Sequence, residues 1–404
     1  MIQKESATGV GYLVVNPHGV PHVFASAVPR DGETFEEQAR DALGTIQAVA
    51  EEEGTLGSIV MQSIFLSDLA NVPLCRKIIR DFYGSELPAT TYIPQPPCEG
   101  KLLAIEALGV GRGRRQVAIE RLSEQMVVTR HDGIAWVHLA DICPQTAAAG
   151  VYERSLSAFE LMRRALATRG FRFDQVVRTW LYLGDIVGPE GDTQRYKELN
   201  RARTDFYRDI RFGTEHTPPG WNKPFFPAST GIGAEGRDIS MSCIALASDR
   251  KDLLTVPLEN PQQTAAFDYA HQYGPQSPKF ARAMVVAAGD TATTFVSGTA
   301  SITASETRYL DDLQGQTRQT LDNIEALIAE DNFCRHGLPG LGATLRELAL
   351  VRVYVKRQED YVAVHAVCQE RLGEVPTIYV VGDVCRPELL VEIEGTAFSQ
   401  RGDK

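Results

Sequence analysis

The sequence predicts an α+β protein made of three consecutive copies of one unit, and three observations carry that expectation. A strand-like stretch recurs as "SIVMQSIFLSDL" (58–69), "QVVRTWLYLGDI" (175–186) and "LALVRVYVKRQED" (348–360). Each alternates β-branched or aromatic residues with others, the pattern of a half-buried strand. An amphipathic helix lies upstream of every copy. Downstream come a second helix and a closing strand, so the whole order repeats over roughly 110 residues.

Taken in order, each unit opens on strands near 22–29 ("HVFASAVP"), 134–144 ("IAWVHLADICP") and 293–302 ("TTFVSGTASI"). The first helices follow. "TFEEQARDALGTIQAVAEEEG" sets Phe35, Ala39, Leu43, Ile46 and Val49 on one face; "SLSAFELMRRALATRG" does so with Phe159, Met162 and Leu166. "QTRQTLDNIEALIAED" uses Leu321, Ile324, Leu327 and Ile328. Apolar residues at i, i+3, i+4 and i+7 make one stripe of a 3.6-residue helix. After the central strand come helices around 72–83, 194–208 and 358–373, then closing strands near 101–110, 237–247 and 388–398. Units of this order fold as mixed sheets with helices packed on one face. The expected division is 1–115, 120–250 and 284–404, with a connector at 251–283 between the second and third units. That connector, rich in Tyr, Phe and Gln, is too long for a mere tether, and loops of such length are often functional. The Gly/Arg-rich "VGRGRRQ" (110–116) fits no dinucleotide or phosphate-loop spacing and reads as a solvated linker.

A net charge of −11 argues against general nucleic-acid or membrane binding, which needs a basic surface. Anionic small molecules remain open as substrates where arginines are concentrated locally. The start "MIQKESATGVGYLVV" lacks the basic and apolar regions of a signal peptide, and no stretch approaches a membrane span. Seven cysteines without ligand spacing read as reduced thiols of a cytoplasmic protein, with no metal site and no cofactor expected.

In the third unit, "FVSGTASI", "QTRQTLDNIEALI", "VRVYVKR" and "LLVEIEGTA" resemble the Rid (YjgF-type) fold, whose single-domain members are trimers with clefts between subunits. Three such units in one chain imply an intramolecular pseudo-trimer, expected as a monomer with weak dimerisation left open. Across residues ~170–398, a narrower match appears in "RYKELNRARTDFY", "FPASTGIG", "ENPQQTAAFDYAHQYGPQSPKFARA", "SGTASI" and "DVCRPELLVEIEG". Together these resemble the chorismatase family, Rid-like enzymes that release pyruvate from chorismate without a cofactor. Where that family follows "SGTASI" with Gly-His-Glu-Ser, this chain has "TASET" (303–307), keeping Glu306 and losing the histidine.

Aligning the three closing strands isolates one carboxylate. Val391-Glu392-Ile393 matches Met241-Ser242-Cys243 and Leu103-Ala104-Ile105, while Glu394 aligns with Glu106 and Ile244. Glu392 is the polar exception, and alternation turns it away from its neighbours Val391 and Ile393. A carboxyl in an apolar cleft has a raised pKa, because desolvation penalises its charged form, and can act as a general acid. The resemblance implies that Glu392 protonates the enolpyruvyl group. It also places Tyr196 and Arg203, seven residues apart and two helical turns along one face, at the substrate. Arg352, a strand-centre arginine, and Tyr269, in the connector, are further expected substrate contacts. Cys385, as a catalytic residue, and Gly298 resemble the branch that forms 3-hydroxybenzoate, as against the branch giving a dihydroxycyclohexadiene carboxylate.

The competing readings are a Rid-type enamine/imine deaminase and a non-catalytic metabolite binder. Against the deaminase, the segment before the last strand lacks that class's proline-linked arginine; Ile378 and Thr90 stand there.

Overall fold

The computed structural model describes residues 2–5, 11–54, 56–111, 117–145, 150–269, 274 and 276–401, with side chains from residue 11 onward. It contains three six-stranded sheets of one design. In space the first sheet runs Ile2–Glu5, Gly11–Val15, His22–Ala27, Leu103–Val110, Ile59–Leu66, Ala89–Ile93. The second runs Ala118–Ser123, Met126–His131, Ile134–Ile142, Ile239–Ser248, Val176–Gly184, Ala228–Ala234. The third runs Leu253–Leu258, Ala283–Ala288, Thr291–Ala300, Val391–Gln400, Leu348–Val355, Thr377–Val381. Neighbours are antiparallel except the last pair of each sheet, which is parallel and joined through a helix.

Each sheet buries one face under its own helices: Phe35–Glu53 and Val72–Tyr83, Val151–Ala167 and Arg195–Tyr207, Leu313–Ile328 and Tyr361–Leu372. The apolar stripes read from the sequence are the faces that pack. Phe35, Ala39, Leu43, Ile46 and Val49 are buried in the first unit, and Leu321, Ile324, Leu327 and Ile328 in the third. The first helix is started by a capping box in which the Thr34 hydroxyl accepts from Glu37 N–H and the Glu37 carboxylate from Thr34 N–H.

The central strands differ from the half-buried expectation. Ile59–Leu66, Val176–Gly184 and Leu348–Val355 are buried at every residue. The reason is a fourth apolar cluster, drawn from all three units, on the faces turned away from the helices; it includes Phe65, Ala104, Trp180, Tyr182, Phe295 and Tyr354. The polar members of the alternation, such as Arg178 and Arg352, therefore lie inside the protein. The connector expected over 251–283 is also of a different kind. Its start, Leu253–Leu258, is an edge strand paired with Ala283–Ala288, so the described residues between them belong to an enlarged hairpin loop, with 270–273 and 275 of the expected connector outside the described residues. The corresponding turn in the second unit links Ala118–Ser123 to Met126–His131 through two residues.

Where the first and second units meet, three imidazoles gather, His131 and His138 buried and His22 half-buried. His22 and His131 meet edge to face at 5.1 Å, and His138 is 4% exposed. Burial pushes all three down, to about 3 for His22 and His138 and about 4 for His131. A lowered histidine pKa means that the unfolded chain binds the proton first. Stability is therefore complete above about pH 6.5 and declines as pH falls toward the folded-state values. Denaturant titrations between pH 7 and 5 should show a loss approaching ~1.4 kcal/mol per pH unit per histidine. His138→Phe should flatten that slope by one proton; an unchanged slope would mean that His138 is not neutral in the fold.

Candidate active site

The closing strand Val391–Gln400 lies between Thr291–Ala300 and Leu348–Val355, with Glu392 level with Tyr354 and Glu394 level with Arg352. Val391 and Ile393 enter the helix-side core, so both glutamates face the other way. Both are buried, yet their surroundings differ. Glu394 accepts from Arg178 at 2.6 Å and from the Trp180 indole at 2.8 Å, and lies 3.1 Å from Arg352. The Thr230 hydroxyl donates to it as well. The two guanidiniums and these donors outweigh burial and hold Glu394 below the usual carboxylate range.

Glu392 instead faces a cavity of about 560 Å³. Burial, reinforced by the charge of Glu394 and only partly opposed by Arg178 and Arg282, raises it to about 8. At neutral pH Glu392 is a neutral acid two residues from a carboxylate. Gly298 makes room for it. A Cβ on Gly298 would collide with Glu392 Oε1 and come within 3.0 Å of its Cδ, while the Gly298 N–H is held by Thr230 at 2.9 Å.

The second and third units and the long hairpin loop build the cavity walls. Helix Arg195–Tyr207 contributes Tyr196, Asn200 and Arg203; the strand Ala228–Ala234 contributes Ser229 and Gly231. The loop adds Tyr269, Phe280 and Arg282, and the approach to the closing strand adds Cys385 and Arg386. Gly231 leaves space for the Tyr196 ring, which a Cβ would meet at 3.0 Å. Arg203 is 1% exposed and donates to the neutral partners Asn200 Oδ1 (2.5 Å) and Ser229 Oγ (3.3 Å). Arg282 donates to the Tyr269 hydroxyl at 2.5 Å and to the Thr264 carbonyl at 3.0 Å. Tyr269 has the Arg282 guanidinium 5.5 Å and the Arg386 guanidinium 5.4 Å from its ring centre. The Cys385 thiol is pushed up to about 12 by burial and by Glu392, and so stays protonated. Fixed cations around one neutral acid suit an anionic, acid-labile substrate.

Of the residues singled out in the sequence, Tyr196, Arg203, Tyr269, Gly298, Cys385 and Glu392 line this one cavity. Arg352 does not. It forks onto Glu106 (2.6 and 2.5 Å) and reaches Ser63 and Tyr182 (both 2.9 Å), so a substrate would have to displace ion pairs to reach it. Glu306 is exposed and pairs with Arg308 at 3.3 Å. Sequence reasoning missed Arg282 and Arg386. Both stood in the stretches that carried the family resemblance, one residue past Ala281 and Cys385, but nothing in their spacing marked them as cavity residues.

No family model matches the chain. It is 36% identical over 246 residues to a 3-hydroxybenzoate synthase of Streptomyces hygroscopicus, covering 59% of this chain and 66% of that protein, just under two thirds. It is 34% identical over 279 residues to a chorismatase of Streptomyces rapamycinicus, covering 66% of this chain and 77% of the relative. The chain belongs to the chorismatase family. A chorismatase crystal structure shares the fold at a TM-score of 0.67 and 21% identity, covering 93% of this chain and 98% of the other.

In this chorismatase-family chain, strand register gives Glu392 two counterparts, Ala104 opposite Phe65 and Ser242 opposite Trp180. Neither is an acid, and the seams beside them are occupied. Between the first and second units, Ser242 meets Thr91 at 2.8 Å. Arg76 there bonds Asp141 (2.5 Å) and Glu124 (2.9 Å) and lies 4.3 Å over the Tyr92 ring. Between the third and first, residues 96–98 are laid along the edge strand Thr377–Val381 through Cys98 N–H to Tyr379 (3.0 Å) and Val381 N–H to Pro96 (2.8 Å). Register also shows that Thr91, one residue beyond Thr90, is level with Ser63, as Ile378 is with Arg352; neither is an arginine.

The two neighbouring glutamates should answer to amide substitution in opposite ways. Glu392→Gln replaces an already neutral group and should change stability at pH 7 by less than about 1.5 kcal/mol. Glu394→Gln leaves the buried Arg178 guanidinium without its carboxylate, Arg352 keeping Glu106, and should cost about 3–5 kcal/mol. Equilibrium unfolding of the two variants checks the pair; equal losses would contradict the assigned charge states.

Proposed function

We propose that the cavity between the second and third units binds chorismate and releases pyruvate from it without a cofactor, with Glu392 as general acid. The observation that carries this reading is a neutral carboxyl facing a cavity set with Arg203, Arg282 and Arg386. Chorismate is a dicarboxylate with an acid-sensitive enol ether. Its carboxylates suit buried guanidiniums, whose planar forks hold such groups in fixed orientation. Glu392 gives its proton to the enolpyruvyl methylene carbon, producing an oxocarbenium ion. The resulting carboxylate then lies beside that cation and stabilises it electrostatically. Cleavage of the ether then frees pyruvate.

Two endings balance. Addition of water gives pyruvate and a dihydroxycyclohexadiene carboxylate; rearrangement with aromatisation gives pyruvate and 3-hydroxybenzoate, with no net water. We favour 3-hydroxybenzoate. One relative is a 3-hydroxybenzoate synthase, and Cys385 with Gly298 resembles that branch. As a protonated thiol, Cys385 would serve as a proton donor or relay before it serves as a nucleophile.

The test is purified protein with chorismate, pyruvate followed through lactate dehydrogenase, and the ring product identified by chromatography. Glu392→Gln should lower kcat at least ~100-fold, since the amide keeps the shape but gives no proton. Because the active form is protonated, the rate should be full below the raised pKa and fall as pH rises through about 8. Arg203→Ala should raise KM about 10- to 100-fold, the weight of a charge-assisted contact. Absence of pyruvate, or full activity in Glu392→Gln, would reject the reading.

A further inference from the structure

Glu394, Arg178, Arg352 and Glu106 form a buried chain of alternating charge that crosses from the second unit through the third to the first. Arg178 meets Glu394 at 2.6 Å, Arg352 stands 3.1 Å from the other Glu394 oxygen, and Arg352 forks onto Glu106. All four are buried, and Glu106 lies outside the 560 Å³ cavity lining. We propose that this chain keeps the Glu392 acid ready for reaction, which makes Glu394 and, from the first unit, Glu106 positioning residues. The inference rests on the acid role proposed for Glu392.

The argument is one of charge. Two guanidiniums and two carboxylates cancel, so the chain has no positive charge to spare for a further anion. An ionised Glu392 would add an uncompensated negative charge on the same strand face as Glu394, where low dielectric makes like charges costly. The other groups facing Glu392 leave that balance intact. Tyr196 from the helix, Tyr354 from the adjacent strand and Cys385 from the preceding loop are held neutral by burial. Arg203, Arg282 and Arg386 line the cavity outside this chain; Arg282, engaged by Tyr269 and the Thr264 carbonyl, opposes the burial of Glu392 only in part. Replacing Glu106 by Gln leaves the chain with one net positive charge, which an ionised Glu392 would neutralise. The acid would then lose its proton at lower pH. A residue of the first unit thus bears on a reaction it never touches.

The decisive experiment follows the Glu392 carboxyl by ¹³C NMR of glutamate-labelled full-length protein without substrate, with Glu392→Gln to assign the signal. Glu106→Gln should move the Glu392 titration down by at least one pH unit, and Glu106→Asp, which keeps the charge, should restore it. With chorismate, the upper limb of the kcat profile should move by the same amount at unchanged KM. If Glu106→Gln does not fold, Tyr182→Phe takes its place. It removes the hydroxyl that accepts from Arg352 at 2.9 Å, and a smaller shift in the same direction is expected. A titration that stays put in the folded variant, or moves equally in the Gln and Asp variants, overturns the proposal. Wild-type protein that yields no pyruvate would reject the proposed function, while the titration would still decide this one.

Discussion

One strand face carries two buried carboxyl groups, and around neutral pH one of them is charged and the other protonated. Glu394 takes that charge because Arg178, Arg352, Trp180 and Thr230 all point at it. Removing such ions from water is costly, and close pairing with hydrogen bonds is what makes their burial tolerable. Once Glu394 is satisfied, the paired chain Arg178, Glu394, Arg352 and Glu106 has no net charge to support a second anion beside it, and Arg282 opposes the burial of Glu392 only in part. Glu392 is thereby held protonated around neutral pH, which the general-acid role proposed for it requires. The chemistry proposed for the site thus follows from the distribution of charge at the seam of three sheets.

The repeated design explains why that seam exists. A lone unit would cover one face of its sheet with helices and leave the other to water. Three units bury those second faces against one another, which is why the central strands are enclosed on both sides. Repetition also generates three equivalent seams, and the sequence distinguishes them. One is closed by the Arg76–Asp141 and Arg76–Glu124 pairs, another by residues 96–98, and the third opens into the cavity. Among the described residues, the open seam is the one with both Glu392 and the enlarged hairpin loop. In the proposed reading, unequal copies of one fold divide the work between structure and chemistry.

How far the sequence could be read varied with the kind of information needed. The helices were legible because their apolar stripes are local and periodic. The central and closing strands were legible from their runs of Val, Ile and aromatic residues. Less visible were the opening hairpins and the short parallel edge strands, which carry little periodic signal. The sequence 251–283 read as a connector because its first strand is short and its partner lies beyond a long loop. Glu392 stood out when the copies were compared, a comparison that any repeat protein offers. Arg352 was misjudged because a strand-centre arginine signals burial and pairing without naming the partner.

By itself, the sequence determined the α+β repeat, the helix faces, and the single acid that breaks the pattern of the closing strands. These depend on residues close together in the chain or at matched positions of the copies. The tertiary structure alone decided which arginines meet which carboxylates. Arg352 and Glu106 are 246 positions apart, Arg178 and Glu394 are 216 apart, and alternation does not say which units face each other. Ion pairing depends on distance in space, and that distance exists only after the three sheets have closed on one another.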